Sequence, residues 1–207
     1  MIVRRALVKD RRDKPDPRPQ MNDRYDSFSS LAREAPTDSW RRVCREVFNS
    51  STLILAPHGG DIEEGTSELA SSVAGDDHTL YCFEGLGTRC FRDLHVTSHR
   101  FDDPVALGFA ARATIVVALH GCKGDRSIYI GGRDTELISL LTSRLLEAGF
   151  PAQSGNHAFP AIHPDNICNK GSRGMGAQIE LTKDLRGPET RPAIAQAIRS
   201  AIAAHEV

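Results

Sequence analysis

The sequence predicts an α/β fold with a mixed, mainly parallel central sheet flanked by helices. From residue 52 onward, short apolar runs rich in β-branched residues alternate with segments whose apolar residues recur at helical spacing. The chain has 207 residues, of which 40% are hydrophobic and 26% charged. These values are typical of an ordinary globular protein with one core, and they favour a single domain over a fibre or a repeat array.

The N-terminal residues differ in composition from the rest of the chain. Residues 1–20 are basic, contain three prolines and show no sustained periodicity. We therefore expect a disordered or loosely attached leader there, followed by one folded domain over residues 21–207. Met1 and Met21 are both candidates for the first residue of the protein.

Helices are predicted where apolar residues recur every three or four positions. The strongest begins after Asp134, a suitable N-cap, and ends at Gly149, a suitable C-terminal glycine. The second half of residues 27–48 has a similar recurrence, with a choice of N-cap residues at Thr37, Asp38 or Ser39. The other predicted helices cover residues 65–74, 104–112 and 189–204.

Strands are predicted for the short apolar runs between these helices. The run ATIVVALH at 113–120 is the most continuously apolar, which is typical of a central strand buried on both faces. The other predicted strands are TLILA (52–56), TLYCFE (79–84), DLHVTS (93–98), SIYIG (127–131) and GAQIEL (176–181).

Charge and hydropathy exclude several function classes. The formal net charge is −1, so the protein has no overall field that would attract nucleic acid. No run approaches the roughly 18 consecutive apolar residues that a membrane-spanning helix needs. The five cysteines form no CxxC pair, as expected for reduced thiols. We expect a cytoplasmic monomer that binds neither a membrane nor nucleic acid.

Unusual polar residues mark three of the predicted strand ends. His58 and Glu63 follow the first strand, His120 is the last residue of the central strand, and Glu180 lies near the end of GAQIEL. Ligand sites in open α/β sheets collect beyond the carboxyl ends of the strands. Because zinc takes imidazole and carboxylate ligands, His58, Glu63 and His120 are a candidate His₂Glu zinc site.

Other interpretations of these residues remain open at this point. A histidine followed by glycine after a strand is often a turn residue with an ordinary hydrogen bond. Glu180 shares one face of its strand with Gln178 and is also compatible with an exposed carboxylate. His95 either shapes the site or forms a hydrogen bond within its strand, and we expect the second.

Several motifs, taken in order, resemble one known family. They are APHGGDIEEGTSE, YCFEG, LHVTSHRFDDP, VALHGCKGD, IYIGGRD and NICNKGSRGMGAQIEL. Together they resemble the phage-type poly-γ-glutamate hydrolases, whose bacterial members often carry the label phage-related replication protein. The resemblance covers roughly residues 48–205, and the ordered set is more specific than any one motif.

The resemblance implies a zinc-carboxypeptidase-like single domain that holds one Zn²⁺ per chain. By position, His58, Glu63 and His120 correspond to the family's metal ligands. Glu180 corresponds to its late-strand glutamate, expected to act as general base and general acid in amide hydrolysis.

The implied substrate, a γ-glutamyl polymer or a related small molecule, carries an α-carboxylate on each residue. Cationic and amide side chains in the glycine-rich loops are therefore candidate substrate contacts: Arg133, Asn169, Lys170 and Arg173. Two alternative functions remain. One is an acyl-amino-acid amidohydrolase with the same kind of site. The other is a non-enzymatic phage-related protein whose basic leader contacts nucleic acid.

Overall fold

A computed structural model describes residues 23–206, and the leader predicted at 1–20 lies outside them. Within this range, no helix has the length and apolar character needed to cross a membrane. The strands are β1 (Trp40–Arg45), β2 (Thr52–Gly60), β3 (Thr79–Gly85), β4 (Ile115–Cys122), β5 (Ile128–Gly132), β6 (Ala152–Ser154) and β7 (Ala177–Thr182). The helices are α1 (Phe28–Glu34), α2 (Thr66–Ala74), α3 (Cys90–Leu94), α4 (Pro104–Arg112), α5 (Thr135–Glu147) and α6 (Arg191–His205).

The strands described form one sheet in the order β1-β3-β2-β4-β7-β5-β6. Strands β3, β2, β4 and β7 run parallel to one another, whereas β1 is antiparallel to β3 and β5 is antiparallel to β7. Strand β6 follows the direction of β5. The predicted mixed, mainly parallel sheet is confirmed. The carboxyl ends of β2, β4 and β7 therefore lie at one edge of the sheet, and the carboxyl end of β5 lies at the opposite edge.

Helices cover both faces of the sheet, and alternate strand residues divide between two cores. Ile54 and Leu119 point to the face covered by α2, α5 and α6. Leu53, Leu55 and Val116 point to the face covered by α1, α3 and α4. Because both faces are buried, the central strands contain almost continuous apolar runs.

The predicted helix in the second half of residues 27–48 is wrong. The helix of this region is α1, whose N-cap Ser27 accepts a hydrogen bond from the Ser30 amide at 3.1 Å. Residues 40–45 instead form β1, which pairs along the whole of its length with β3. Pairing with a neighbouring strand satisfies the backbone groups of β1, and this tertiary contact outweighs the local helical periodicity.

The predicted strand at 93–98 is also wrong, because α3 ends at Leu94 and a 3₁₀ turn follows at Ser98–Arg100. Leu94 and Val96 are both buried, which explains the alternating pattern without a strand partner. Strand β2 extends past its predicted end at Ala56 as far as Gly60. The short elements α3 and β6 were not predicted from the sequence.

A buried carboxylate joins three elements on the α1 side of the sheet. Asp103 caps α4 by accepting from the Val105 amide at 2.9 Å, and it also accepts from Arg42 Nε at 2.6 Å and from the Tyr81 hydroxyl. Its side chain is fully buried, whereas that of Arg42 is 31% exposed. Asp103 therefore connects β1, β3 and α4.

Replacing Asp103 with Ala is expected to lower the free energy of unfolding by about 3 kcal/mol, because the change leaves a partly buried guanidinium and a buried hydroxyl without their acceptor. Urea denaturation measures this. The matched control is Asp102→Ala, which removes an exposed acceptor of the Ser29 amide and should cost less than about 1 kcal/mol. Equal losses in the two variants would show that the buried network contributes nothing specific.

Candidate metal centre

A bulge in β2 determines which face of the sheet His58 occupies. Opposite β3, Ala56 pairs with Cys82 and Gly59 pairs with Glu84, so two residues of β2 oppose one residue of β3. Without the bulge, His58 would point with Ile54 and Ala56 to the face covered by α2 and α6. With it, the imidazole lies on the opposite face, where it contacts the carbonyl of Val96.

The two glycines after His58 allow the chain to turn back on itself. A Cβ on Gly59 would lie 2.0 Å from Ser67 Oγ, and one on Gly60 would lie 2.5 Å from the Gly85 carbonyl oxygen. Gly60 also has a φ of 60°, which favours glycine. The turn brings the Glu63 amide within 3.0 Å of the His58 carbonyl, so the Glu63 side chain is returned to the imidazole.

Three ligand atoms converge at this edge of the sheet. His58 Nδ1 lies 3.1 Å from His120 Nδ1 and 3.4 Å from a Glu63 carboxylate oxygen, and the second Glu63 oxygen lies 3.8 Å from His120 Nδ1. A tetrahedral ion with bonds of about 2.0–2.2 Å needs ligand atoms about 3.3–3.6 Å apart. His58, Glu63 and His120 thus have the chemistry and approximate spacing to hold a zinc ion.

The outer nitrogen of each imidazole faces its own partner. His58 Nε2 lies 2.8 Å from the Val96 carbonyl, and His120 Nε2 lies 3.4 Å from Ser98 Oγ. Because a carbonyl only accepts, the proton of neutral His58 is on Nε2, and the Nδ1 lone pair faces the other ligands. Metal-binding histidines use this arrangement, in which the second ring nitrogen is fixed by a hydrogen bond.

Electrostatics within the cluster favour a cation. Burial, followed by repulsion from His58, lowers the pKa of His120 to about 3, so this ring is neutral near pH 7. Burial alone would lower the pKa of His58, but the Glu63 carboxylate outweighs it and raises that pKa. Burial would raise the pKa of Glu63, yet His58, His120 and the Gly121 amide together hold it below its usual range. The site therefore keeps an ionised carboxylate beside two imidazoles.

Glu180 lies beside this cluster on the neighbouring strand. It pairs in register with His120 and shares a sheet face with Gln178, and its residue is only 6% exposed. Gln178 Nε2 donates to Glu180 Oε1 at 2.8 Å, and Asn166 Nδ2 donates to Gln178 Oε1 at 2.9 Å. The structure thus places Glu180 in a buried network next to the candidate ligands and not on an exposed strand face.

The chain is similar to proteins of one known family. Residues 25–188 match the family model of the poly-gamma-glutamate hydrolases. The chain belongs to the poly-γ-glutamate hydrolase family. The resemblance seen in the sequence motifs is confirmed, and the match covers every strand and every residue of the candidate cluster.

Relatives of this poly-γ-glutamate hydrolase family member occur in Bacillus subtilis (strain 168). The SPbeta prophage-derived UPF0714 protein YoqZ is 36% identical over 167 residues, which cover 79% of this chain and 60% of YoqZ. The UPF0714 protein YndL is 37% identical over 167 residues, which cover 79% of this chain and 66% of YndL. The chain therefore spans slightly less than two thirds of the length of these two relatives.

Solved structures confirm the fold of this family member. A bacteriophage poly-γ-glutamate hydrolase superposes with a TM-score of 0.82 and 31% identity, covering 89% of this chain and 98% of the phage chain. A zinc-free apo form of YndL superposes with a TM-score of 0.83 and 30% identity, covering 89% of this chain and all of the YndL chain. The arrangement of sheet and helices is thus shared with both structures.

Asn169 and Lys170, predicted as substrate contacts, lie in the loop that precedes β7. Asn169 Nδ2 donates to the carbonyls of Ala161 and His163 at 2.8 and 3.0 Å, and Lys170 Nζ lies 2.6 Å from Asp165. Both side chains therefore stabilise the loop itself. A direct role in binding substrate stays a prediction for these two residues.

Arg133 and Arg173 are not brought to the cluster. The Arg133 amide donates to the Gly176 carbonyl, and Arg173 Nη1 lies 3.1 Å from the buried carboxylate of Asp134. Gly176 lies just before β7 and precedes Glu180 by four positions, or about 13 Å at 3.3 Å per residue. The physical reason is that β5 runs antiparallel to β7, so its carboxyl end is at the edge opposite His120. Both arginines therefore lie away from the candidate ligands, and a role in binding substrate stays a prediction for them.

Three contributors to the site were not assigned by the sequence. Ser98 and the Val96 carbonyl contact the two imidazoles, and Asn166 completes the network of Glu180. His95, expected to form a hydrogen bond within a strand, lies against the His58 ring with a centroid distance of 4.1 Å. The LHVTSH motif lies next to the HGG motif in space, but nothing in the sequence alone indicates this.

Proposed function

We propose that this chain is a zinc-dependent hydrolase that cleaves γ-glutamyl amide bonds. One zinc ion is held by His58, Glu63 and His120, and Glu180 is the general base and acid. The observation that carries this proposal is the convergence of three ligand atoms at near-tetrahedral spacing beside a buried carboxylate. The name of the matched family supports the substrate class, and the zinc-free form described for YndL supports the choice of metal.

When bound, zinc supplies Lewis-acid chemistry that polarises an amide carbonyl and makes water more acidic. The protein side chains supply proton transfer. The Glu180 carboxylate takes the proton of the attacking water and later passes it to the departing amine. Gln178 holds one carboxylate oxygen of Glu180 by a hydrogen bond at 2.8 Å, which orients the carboxylate for this transfer.

A buried site at the carboxyl ends of the central strands suits this reaction because it excludes most water while holding the reacting groups rigidly. His58, His120 and Glu180 all belong to paired strands, and the side chains of His58 and His120 are only 2% and 3% exposed. Groups held by strands lose little freedom when substrate binds, so more of the binding energy is available for orientation.

Two isomeric polymers test the proposal. Full-length protein loaded with zinc is incubated with poly-γ-glutamate or with poly-α-glutamate, and new amino termini and polymer length are measured. We expect cleavage of the γ-linked polymer only, with activity lost after chelation and restored by added zinc. The two polymers have the same charge per residue, so the comparison isolates the type of linkage.

An N-acylated glutamate provides a third substrate in the same assay. Cleavage of this small molecule alone would replace the polymer with an acyl-amino-acid substrate while leaving the zinc chemistry intact. If zinc-loaded protein cleaves none of the three substrates, the proposed hydrolase function is contradicted.

A further inference from the structure

The segment His95–Ser98, here called the strap, contacts both candidate imidazole ligands from outside the cluster. The ring of His95 lies against the ring of His58 at an interplanar angle of 31°. The Val96 carbonyl is 2.8 Å from His58 Nε2, and Ser98 Oγ is 3.4 Å from His120 Nε2. The position of the strap therefore affects the orientation of both rings.

The strap begins after α3 and ends in a 3₁₀ turn, and residues 95–97 belong to neither a helix nor a strand. No strand in the described part of the chain pairs with these residues. Asp23, which is more than 70 positions away in the sequence, supplies hydrogen-bond acceptors to them instead. One of its oxygens lies 2.7 Å from His95 Nδ1, and the other accepts from the Thr97 amide at 2.8 Å and from the Thr97 hydroxyl at 2.6 Å.

The Asp23 carboxylate is buried and accepts hydrogen bonds in its ionised form. Its side chain is 2% exposed. Burial alone would raise the pKa of Asp23, but the hydrogen bonds from His95 and Thr97 outweigh it and hold that pKa well below its usual range. Three hydrogen bonds on one buried carboxylate fix the strap on both sides of Val96, the residue whose carbonyl contacts His58.

We propose that Asp23 is a positioning residue of the metal centre, acting through the strap on the orientation of His58 and His120. This inference rests on the proposed zinc function, because it assigns Asp23 a role in holding the ligands of that zinc. Asp23 is a positioning residue and not a ligand, since its carboxylate contacts His95 and Thr97 and not the cluster. The strap adds a layer of hydrogen bonds behind the ligands, which is the arrangement that sets affinity in many zinc sites.

The test is the zinc affinity of full-length Asp23→Asn, measured by competition with a chromophoric chelator. Asparagine has the same shape, but its amide nitrogen would face either His95 or the two donors of Thr97. We expect zinc Kd to rise by about 10- to 100-fold, the usual effect of changing a group behind a ligand. The matched control is Asp26→Asn, an exposed residue of the same segment, for which Kd should be unchanged.

Cobalt provides a second readout that a general loss of stability would not change. The visible absorption of Co²⁺ reports the geometry of its ligands, so Asp23→Asn should shift the spectrum at full occupancy, whereas Asp26→Asn should not. Thr97→Val removes only the hydroxyl bond to Asp23 and should raise zinc Kd by a smaller factor, about threefold or more.

The possible results separate the two proposals. Wild-type protein that binds no zinc contradicts the proposed function itself. Wild-type protein that binds zinc, together with an Asp23→Asn variant of equal affinity and identical cobalt spectrum, overturns the role of Asp23 alone. If Asp23→Asn does not fold by circular dichroism, Thr97→Val decides: a raised Kd supports the inference and an unchanged Kd overturns it.

Discussion

Glu180→Gln is expected to reduce kcat by about 10²-fold or more while the protein keeps its zinc. Glutamine has nearly the same shape and can still accept the hydrogen bond from Gln178, so the buried network is preserved. It cannot take a proton from water, and removing a positioned general base typically costs 10²- to 10⁴-fold. The measurements are kcat on poly-γ-glutamate and zinc content by elemental analysis of the same sample.

Glu136→Gln is the matched control, because it makes the same chemical change at an exposed position in the first turn of α5. Its kcat and zinc content should equal those of the wild type. Full activity in Glu180→Gln would remove this residue from the mechanism. Loss of zinc from that variant would instead identify Glu180 as part of the ligand set.

His120→Ala is expected to abolish zinc binding and, with it, all activity. The change removes one of three ligands, and the remaining pair of His58 and Glu63 cannot form the His₂Glu set that zinc needs. It also leaves the buried Glu63 carboxylate with one neighbour fewer. Elemental analysis should find about one zinc per chain in the wild type and close to none in this variant.

His99→Ala serves as the control for metal content, because His99 is an exposed histidine on the 3₁₀ turn next to the strap. It should retain zinc at the wild-type level. Circular dichroism of both variants without metal establishes that they are folded. Stoichiometric zinc in folded His120→Ala would place the metal somewhere other than this cluster.

The central strands were predictable because their burial on both faces appears directly in the sequence. The runs that became β2, β3 and β4 are continuously apolar with polar residues at one end, whereas β7 alternates apolar and polar residues up to Glu180. Parallel strands bring their carboxyl ends to one edge, so His58, His120 and Glu180 could be grouped without knowing the order of the strands. These three positions required no long-range information beyond strand direction.

The arginines show where that reasoning fails. Arg133 follows β5, a strand with the same apolar pattern as the others, but β5 runs in the opposite direction. The direction of a strand depends on which neighbours it pairs with, and local sequence does not contain this. The same limit applies to Asp23 and the strap, whose contact depends on the docking of a segment more than 70 residues away.

The N-terminal region shows the corresponding limit for secondary structure. Residues 40–45 have a helical recurrence of apolar residues, yet the open edge of β3 offers hydrogen-bond partners that stabilise an extended conformation. Local preference differs by about 1 kcal/mol or less per residue between such states. A complete ladder of backbone pairs is enough to reverse it.

The bulge at Pro57 and His58 affects how this kind of site can be lost during evolution. Because side chains alternate between the faces of a strand, the position of His58 depends on two residues of β2 opposing one residue of β3. One residue inserted in β3 between Cys82 and Glu84 would remove the bulge and move the imidazole to the face covered by α2 and α6, with no change in β2 itself. A homologue could therefore contain the histidine, the glycines and the glutamate and still lack a metal centre. In comparisons of distant relatives, the numbers of residues in the two facing intervals, Ala56–Gly59 and Cys82–Glu84, are as informative as the residue types.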